Sequence, residues 1–316
     1  MHGPSSGLTT AGEQRPRYEV ADVVRAYGAE FLRTHQTTSP QRRVLRAIAR
    51  CRTAALGGHV EGCDACGHKR IAYNSSRNRH CGKCQGAARA KWMAAEQAML
   101  LPVDYFHVVF TLPHILNALM RVNPRELYAL LFRAAAATLL TFARDSRHLG
   151  GEPGITMVLH TWGQHLTEHA HVHCVVTGGG LSPDHSRWIS VRRRRRRRAF
   201  LFPVKALSQM FRGKYLAALR CLRQRGELQF TGQCAELAES ETWQSFLTTL
   251  HHTRWVVYAK PPFGGPERVL KYLSRYTHRV AISNRRLLFV GDGIVRFLWK
   301  DYADHNAHKE MTLPAA

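Results

Sequence analysis

Three histidines at alternate positions form the stretch of this sequence that is best suited to chemistry. They lie in the run His169-Ala-His-Val-His-Cys-Val-Val176, at positions 169, 171 and 173. Because side chains of an extended strand alternate between its two faces, the three imidazoles are predicted to point the same way. Two imidazoles spaced in this way can bind one metal ion and leave its other positions to a neighbouring strand and a substrate. The alternative is a polar strand face with solvated histidines, and the spacing alone does not name a reaction.

A pair of tyrosines is the second candidate for chemistry. Tyr272 and Tyr276 are four residues apart in a helix predicted from 267 to about 278, so both hydroxyls project from one helix face. The flanking cations are Lys271, Arg275 and Arg279. Neighbouring positive charge favours the phenolate and prepares it to attack a phosphate. The alternative is that both rings pack in the core, which is common for aromatic residues at helical spacing.

Two Cys-x-x-Cys pairs predict a structural zinc site. Cys63 and Cys66 form one pair, Cys81 and Cys84 form the other, and fourteen residues separate them. Each pair presents two thiolates, and two pairs complete a closed tetrahedral site without an open position for substrate. A disulfide or an unmetallated pair is the alternative. The nearby histidines that could replace a thiolate are His59, His68 and His80. The segment 70–79 between the pairs is predicted either to grip a phosphate backbone or to be a solvated loop.

The charge of the chain predicts a polyanionic partner. Its 316 residues contain 46 Lys+Arg against 22 Asp+Glu, a formal net charge of +24. Nucleic acid is the usual partner of a protein this basic, and the balance argues against a zinc hydrolase of small substrates. Seven consecutive arginines from 192 to 198 predict a disordered insertion at about 190–199 with only non-specific contacts to nucleic acid. Clustered cysteines without an export signal indicate a reducing cytosol, and no membrane span is predicted.

Periodicity predicts the elements that must position these residues. Helical spacing covers 20–32, 39–55, 85–100, 115–144 with a break at Asn123-Pro124, and 204–223, and a polar linker is predicted before residue 255. Strands are predicted at 105–112, 155–162, 169–176, 255–259, 280–282, 287–290 and 294–299. If the second and third of these strands pair as a hairpin, they bring His160 or Gln164 toward His171 and His173.

Ordered motifs from about residue 18 to 313 resemble one known family. They include the segments 77–85, 159–163, 171–173, 178–182, 203–205, 211–214, 258–267 and 272–284. Together with the paired tyrosines and the cysteine pairs, they resemble the rolling-circle insertion-sequence transposases of the HUH superfamily, specifically the insertion-sequence-ninety-one type. The family departs from this sequence at the polyarginine tract and at position 76, where Ser76 stands in place of a frequent cysteine. Relatives also continue beyond residue 313 with a further basic segment.

The resemblance implies a fold and a domain order. We expect an α+β fold with a HUH-type central antiparallel sheet flanked by helices, preceded by a helical segment and a small zinc ribbon. Residues 1–17 are expected to be a disordered lead-in, residues 18–100 a DNA-binding domain, and residues 101–316 the HUH nuclease domain. The missing basic segment predicts a C-terminally truncated copy.

The resemblance also implies a reaction. We expect metal-dependent cleavage and rejoining of single-stranded DNA through a 5′-phosphotyrosine on Tyr272 or Tyr276, with His171 and His173 holding Mg²⁺ or Mn²⁺. Gln164 is the expected third ligand, with His160 and His165 as substitutes. The expected DNA-contacting residues are Arg77, Arg79, Lys271, Arg275 and Arg279.

The resemblance also implies a partner and a cellular location. The expected partner is DNA, chiefly the single-stranded ends of the protein's own mobile element, without a membrane or a nucleotide cofactor, in the bacterial cytoplasm at the nucleoid. The alternative is a truncated, non-catalytic, zinc-dependent DNA-binding remnant in which the histidines and tyrosines are structural.

Overall fold

The computed structural model describes residues 16–191, 201–260, 281–301, 304–305 and 307–316, and side chains except those of residues 87 and 88. The α-helices in these ranges are α1 Val20–Thr34, α2 Ser39–Arg50, α3 Gln85–Ala98, α4 Asn117–Val122, α5 Pro124–Arg144, α6 Val204–Gln224 and α7 Ser240–His252. The strands are β1 Gly58–Gly62, β2 Lys69–Tyr73, β3 Tyr105–Thr111, β4 Ile155–Trp162, β5 Glu168–Thr177, β6 Gly179–Leu181, β7 Trp188–Ser190, β8 Val256–Lys260, β9 Leu287–Gly291, β10 Ile294–Asp301 and β11 Ala307–Pro314.

The chain divides into two compact units, and the first joins both ends of the sequence. It comprises residues 1–85 and 280–316. Its described part contains α1, α2, the antiparallel hairpin β1–β2 and the antiparallel sheet β11-β10-β9. The backbone N–H of Val20 donates to Asn284 Oδ1 at 3.1 Å, and the Tyr18 ring meets Phe289 edge-on at 6.4 Å. The start of α1 therefore packs with the carboxyl-terminal segment 284–289. The boundary expected at residue 100 stays a prediction.

The second unit, residues 86–279, is built on a four-stranded sheet. Its strand order is β4-β5-β3-β8, and every neighbouring pair is antiparallel. Each strand contains several β-branched or aromatic residues, which favour extended backbone. The long helices α5 and α6 pack their buried side chains against those of the sheet to form the hydrophobic core. The predicted α+β fold with a central antiparallel sheet flanked by helices is confirmed.

One face of this sheet is the core of the unit. The alternate residues Phe106, Val108 and Phe110 of β3 are almost fully buried, as are the neighbouring positions Val172 and Cys174 of β5. They pack with helical side chains, and the clearest ring contact joins Phe110 to Phe211 of α6, with centroids 4.9 Å apart. Residues directly opposite each other in an antiparallel pair have their side chains on the same face of the sheet. The residues between these buried positions therefore have their side chains on the opposite face.

The opposite face carries the histidines and is called the site face below. Register places His171 opposite both His160 and Thr111, and His173 opposite Val109. On the next strand, His107 is opposite Lys260. The exposed side chains Val256 and Tyr258 of β8 belong to the same face by the same register, opposite Thr111 and Val109. The sheet therefore has one dry face and one face that reaches solvent at β8.

Three segments differ from the sequence-based prediction. The segment predicted as a polar linker contains α7, because Trp243, Leu247 and Leu250 are spaced to form one buried stripe among polar residues. Residues 281 and 282 form a bend rather than the predicted closing strand. The carboxyl-terminal strand β11 was not predicted, although it alternates between half-buried and exposed residues and pairs with β10 along its length.

Helix α5 is long and apolar enough to cross a membrane by length and composition alone. Nine of its residues are buried, among them Leu127, Leu131 and Leu139. Those residues belong to the hydrophobic core described above, so the packing accounts for the apolar character of the helix.

Candidate metal centres

Three imidazoles meet on the site face. His160 on β4 lies directly opposite His171 on β5, and His173 follows two residues later on the same strand. One ring nitrogen from each of His160, His171 and His173 lies within 4.8 Å of the others. We call this group the histidine cluster. Its members are 2%, 9% and 6% exposed, respectively, so the imidazoles are largely withdrawn from water. Three ring nitrogens at these separations could hold one metal ion.

A backbone carbonyl sets the tautomer of His171. His171 Nδ1 lies 2.7 Å from the carbonyl oxygen of His169. A carbonyl oxygen only accepts hydrogen bonds, so Nδ1 of His171 carries the proton and donates. In the neutral ring, Nε2 then keeps its lone pair and is the nitrogen available to a metal ion.

Two members of the histidine cluster and a histidine on the neighbouring strand have lowered pKa values. Burial lowers the pKa of His171 to about 4. Burial, followed by the neighbouring His160, also lowers the pKa of His173. Burial and the positive charge of Lys260, which is opposite in register, lower the pKa of His107 to about 4. Near neutral pH these rings therefore carry lone pairs, which metal coordination requires.

The sequence prediction placed only part of this site. His171 and His173 lie together, as the alternating pattern predicted, and His160 supplies the third ring. Gln164, the residue expected as third ligand, lies with His165 in the turn between β4 and β5. Both tyrosines, Tyr272 and Tyr276, lie outside the described residues. The predicted DNA-contacting residues Lys271, Arg275 and Arg279 lie outside them as well.

A second cluster, of cysteines, lies in the first unit. The sulfur atoms of Cys51, Cys81 and Cys84 lie within 4.8 Å of one another, and Cys51 Sγ is 3.4 Å from Cys84 Sγ. We call this group the cysteine cluster. Ser76 stands at its side, because its backbone N–H donates to Cys51 Sγ at 3.4 Å and its Oγ lies 3.5 Å from Cys84 Sγ. Burial acts to raise the pKa of Cys84, yet hydrogen bonds with Ser76 and the neighbouring thiols lower it to about 7.

The structure does not assemble the predicted site of Cys63, Cys66, Cys81 and Cys84. Cys63 and Cys66 are exposed in the turn of the β1–β2 hairpin, where the N–H of Gly67 donates to the carbonyl of Cys63 at 2.8 Å. The hairpin runs five residues from that turn to its base, which is roughly 13 Å at the rise of a β-strand. Cys51 lies near the base, where Arg52 donates to the carbonyl of Asn74. The strands thus separate the two Cys-x-x-Cys pairs.

The residues around the cysteine cluster include two of the predicted DNA contacts. Arg77 and Arg79 are exposed on the segment that leads from Ser76 to Cys81. The side chain of Gln85 donates to the carbonyl of Arg79, which fixes the backbone of that segment without using the guanidinium group. Both arginines are therefore presented to solvent by a segment anchored at the cysteine cluster.

Two protein families match the sequence. The family described as "Putative transposase" matches residues 154–316, which is just over half of the chain and contains β4, β5 and the whole histidine cluster. The family described as "Transposase zinc-binding domain" matches residues 23–112, which contain the cysteine cluster and both Cys-x-x-Cys pairs.

Two curated proteins are similar along most of the chain. A putative transposase, y4qJ, of Sinorhizobium fredii is 52% identical over 296 residues, covering 93% of this chain and 73% of that protein. The transposase for insertion sequence element IS801 of Pseudomonas savastanoi pv. phaseolicola is 29% identical over 277 residues. That match covers 84% of this chain and 62% of the relative, so the chain spans less than two thirds of the second protein's length.

Among solved structures, the conjugative relaxase TrwC in complex with OriT DNA gives matches of low similarity. A metal-free structure of it matches with a TM-score of 0.29 and 12% identity, covering 83% of this chain and 95% of that chain. A copper-bound structure matches with a TM-score of 0.28 and 13% identity, covering 79% and 84%. TM-scores this low do not identify a shared fold. The family and sequence matches do identify the chain: it belongs to the transposase family of the insertion-sequence-ninety-one type, with the transposase zinc-binding domain near its amino terminus.

Proposed function

We propose that this transposase cleaves and rejoins single-stranded DNA in a metal-dependent reaction that passes through a 5′-phosphotyrosine, as rolling-circle transposition requires. The observation that carries the proposal is the histidine cluster, because three buried imidazoles converge on the sheet face that reaches solvent. Membership of a transposase family supplies the class of substrate, DNA.

The histidine cluster fits a divalent cation. His171 offers Nε2 because its Nδ1 donates to the carbonyl of His169. We propose His160 as the third ligand in place of Gln164, since its ring nitrogen lies within 4.8 Å of those of His171 and His173. Three imidazoles favour Mn²⁺ over Mg²⁺, which prefers oxygen ligands. When bound, the ion polarises the scissile phosphate and stabilises the charge that develops on its oxygens.

The remaining chemistry is proposed for the tyrosines. The phenolic oxygen of Tyr272 or Tyr276 attacks the phosphorus, the bond from phosphorus to the 3′ oxygen breaks, and that oxygen takes up a proton to leave a free 3′-hydroxyl. The phosphodiester energy is kept in the tyrosine ester, so rejoining by a 3′-hydroxyl needs no nucleotide cofactor. A second tyrosine permits a second cleavage while the first DNA end is still attached. Lys271, Arg275 and Arg279, which flank the tyrosines in the sequence, are proposed to bind phosphates.

The cysteine cluster is proposed as a structural zinc site of the amino-terminal domain. Cys51, Cys81 and Cys84 supply three thiolates, and Ser76 occupies the position next to two of them. Zinc bound there would hold the end of α2 against the segment that presents Arg77 and Arg79. Those two arginines would then contact the phosphate backbone of DNA.

A denaturing gel tests the proposed reaction. The full chain is incubated with labelled single-stranded oligonucleotides that carry the ends of its element, with Mn²⁺ or with EDTA. We expect a covalent protein–DNA adduct in Mn²⁺, none in EDTA, and none from a variant carrying Tyr272→Phe and Tyr276→Phe. Binding of the oligonucleotide without any adduct would overturn the proposal and favour a protein that only binds DNA.

A further inference from the structure

A buried histidine outside the cluster contacts one of its members. His107 on β3 is 1% exposed, and its Nε2 lies 2.8 Å from Nδ1 of His173. The two rings are parallel and meet edge to edge at these nitrogens, with centroids 5.0 Å apart and planes inclined by 2°. His107 pairs in register with Val175 and not with His173, so this is a diagonal contact between neighbouring strands.

The contact decides which nitrogen of His173 can hold a metal ion. In a hydrogen bond between two neutral imidazoles, one nitrogen donates and the other accepts. If Nδ1 of His173 donates, its Nε2 keeps a lone pair for the ion. If His107 donates instead, the proton of His173 sits on Nε2 and blocks coordination there. The direction of this one bond therefore selects the metal-binding form of His173.

We propose that His107 is a positioning residue whose Nε2 accepts the Nδ1 proton of His173 and so directs Nε2 of His173 into the histidine cluster. The proposal rests on the metal site proposed above. His107 thereby does for His173 what the carbonyl oxygen of His169 does for His171. Two metal ligands on one strand are thus fixed as the same tautomer by two different acceptors, one a backbone oxygen and the other a side chain.

A second histidine pair in the same unit provides a matched control. His114 Nε2 lies 2.7 Å from Nδ1 of His169, and this pair is exposed. His169 contributes its carbonyl oxygen to His171, but its ring is not part of the histidine cluster. Removing the His114 ring therefore breaks a histidine–histidine contact of the same length without touching a proposed ligand.

The experiment measures Mn²⁺ binding by isothermal titration calorimetry of the full, zinc-loaded chain. His107→Phe keeps an aromatic ring but removes the acceptor, and we expect Mn²⁺ affinity to fall about 10- to 100-fold, the usual effect of losing a partner of a metal-bound histidine. His107→Gln can place an oxygen near the Nε2 position and is expected to restore most of the affinity. His114→Phe is expected to bind Mn²⁺ like the wild type.

The tautomer itself is measured independently, by ¹⁵N chemical shifts of His173 in the metal-free wild type. We expect the proton on Nδ1. A proton on Nε2, or unchanged Mn²⁺ affinity in a folded His107→Phe variant, would overturn the inference. If His107→Phe does not fold, as judged by circular dichroism, the ¹⁵N shifts and His107→Gln decide. A wild-type chain that binds no Mn²⁺ would instead overturn the proposed function, and the ¹⁵N shifts would still decide the direction of the bond.

Discussion

His160 and His171 face each other directly across the antiparallel pair β4–β5, and their ring centroids are 5.0 Å apart. Two residues that share a strand pair and a register position are held together by the backbone ladder, and no loop has to close over them. The cluster is therefore built on paired strands, and His160 is the last position before the register of β4 and β5 shifts. Side chains fixed by paired strands suit a site that must keep fixed distances between its ligands.

The first prediction separates the observed cysteine cluster from the site expected from the two Cys-x-x-Cys pairs. Cys51→Ser removes a member of the cluster, whereas Cys63→Ser changes only the exposed hairpin turn. We expect the purified Cys51→Ser chain to lose its zinc and Cys63→Ser to keep the zinc held by the cluster, as measured by elemental analysis after dialysis. Loss of zinc from Cys63→Ser together with retention by Cys51→Ser would contradict this prediction and support the site formed by Cys63, Cys66, Cys81 and Cys84.

The second prediction concerns the fourth position of the cysteine cluster. Ser76 lies beside both Cys51 and Cys84, so Ser76→Cys would place a fourth thiolate there. Because four thiolates make a closed zinc site, we expect this variant to release zinc to a chelator more slowly than the wild type. Ser75→Cys is the control, since it adds a cysteine at an exposed neighbouring position. Equal release from both variants would show that position 76 is not a ligand position.

The third prediction is a loss of stability in acid. The pKa values of His107 and His171 are lowered to about 4 in the folded chain, whereas the unfolded chain takes up protons near pH 6.5. The unfolded state therefore binds more protons as pH falls from about 6.5 toward 4, at up to about 1.4 kcal/mol per pH unit for each histidine. The contribution of these two histidines to the free energy of unfolding is therefore fully present above about pH 6.5, and it is lost progressively as the pH falls toward 4.

Urea unfolding in EDTA at several pH values checks this prediction. The wild type is compared with His107→Gln, which removes one of the titrating groups and should show a smaller loss in acid. An equal loss in both chains would contradict the assignment of His107 to the acid sensitivity.

The fourth prediction tests the two faces of the sheet. Phe110 is fully buried and its ring meets Phe211, so Phe110→Ala is expected to lower the free energy of unfolding by about 3–5 kcal/mol. Tyr258 lies on the site face and is 52% exposed, so Tyr258→Ala is expected to change that free energy by no more than about 0.5 kcal/mol. Denaturant unfolding measures both, and similar losses would contradict the register that separates the faces.

Local patterns predicted much of the central sheet. The alternating histidines located β5, and the apolar and β-branched run 155–162 located β4. The short connection between them predicted a hairpin that brings His160 or Gln164 toward His171 and His173, and the structure places His160 there. Helix α7 was not predicted from the sequence. Its three buried residues are separated by polar residues, and the segment lacks strong signals for the start or the end of a helix. Its burial depends on the core that it meets, which is a property of the tertiary structure.

Cys51 shows why the metal centres were predicted only in part. Sequence spacing joins cysteines that are neighbours along the chain, so it favoured Cys63 and Cys66 as partners of Cys81 and Cys84. Cys51 follows α2 as a single cysteine, and only the fold brings it to the other two. The contact of His107 with His173 joins residues that are 66 positions apart, so sequence spacing did not predict it either.

The most direct test of the central claim compares two single variants in the adduct assay. We propose that the third metal ligand is His160, which lies in the histidine cluster, and not Gln164 in the following turn. His160→Ala should reduce the rate of Mn²⁺-dependent adduct formation by roughly 100-fold or more, as expected when a group that stabilises developing charge is lost. Gln164→Ala should form the adduct at nearly the wild-type rate. Normal adduct formation by His160→Ala would contradict the claim that the histidine cluster is the catalytic metal site.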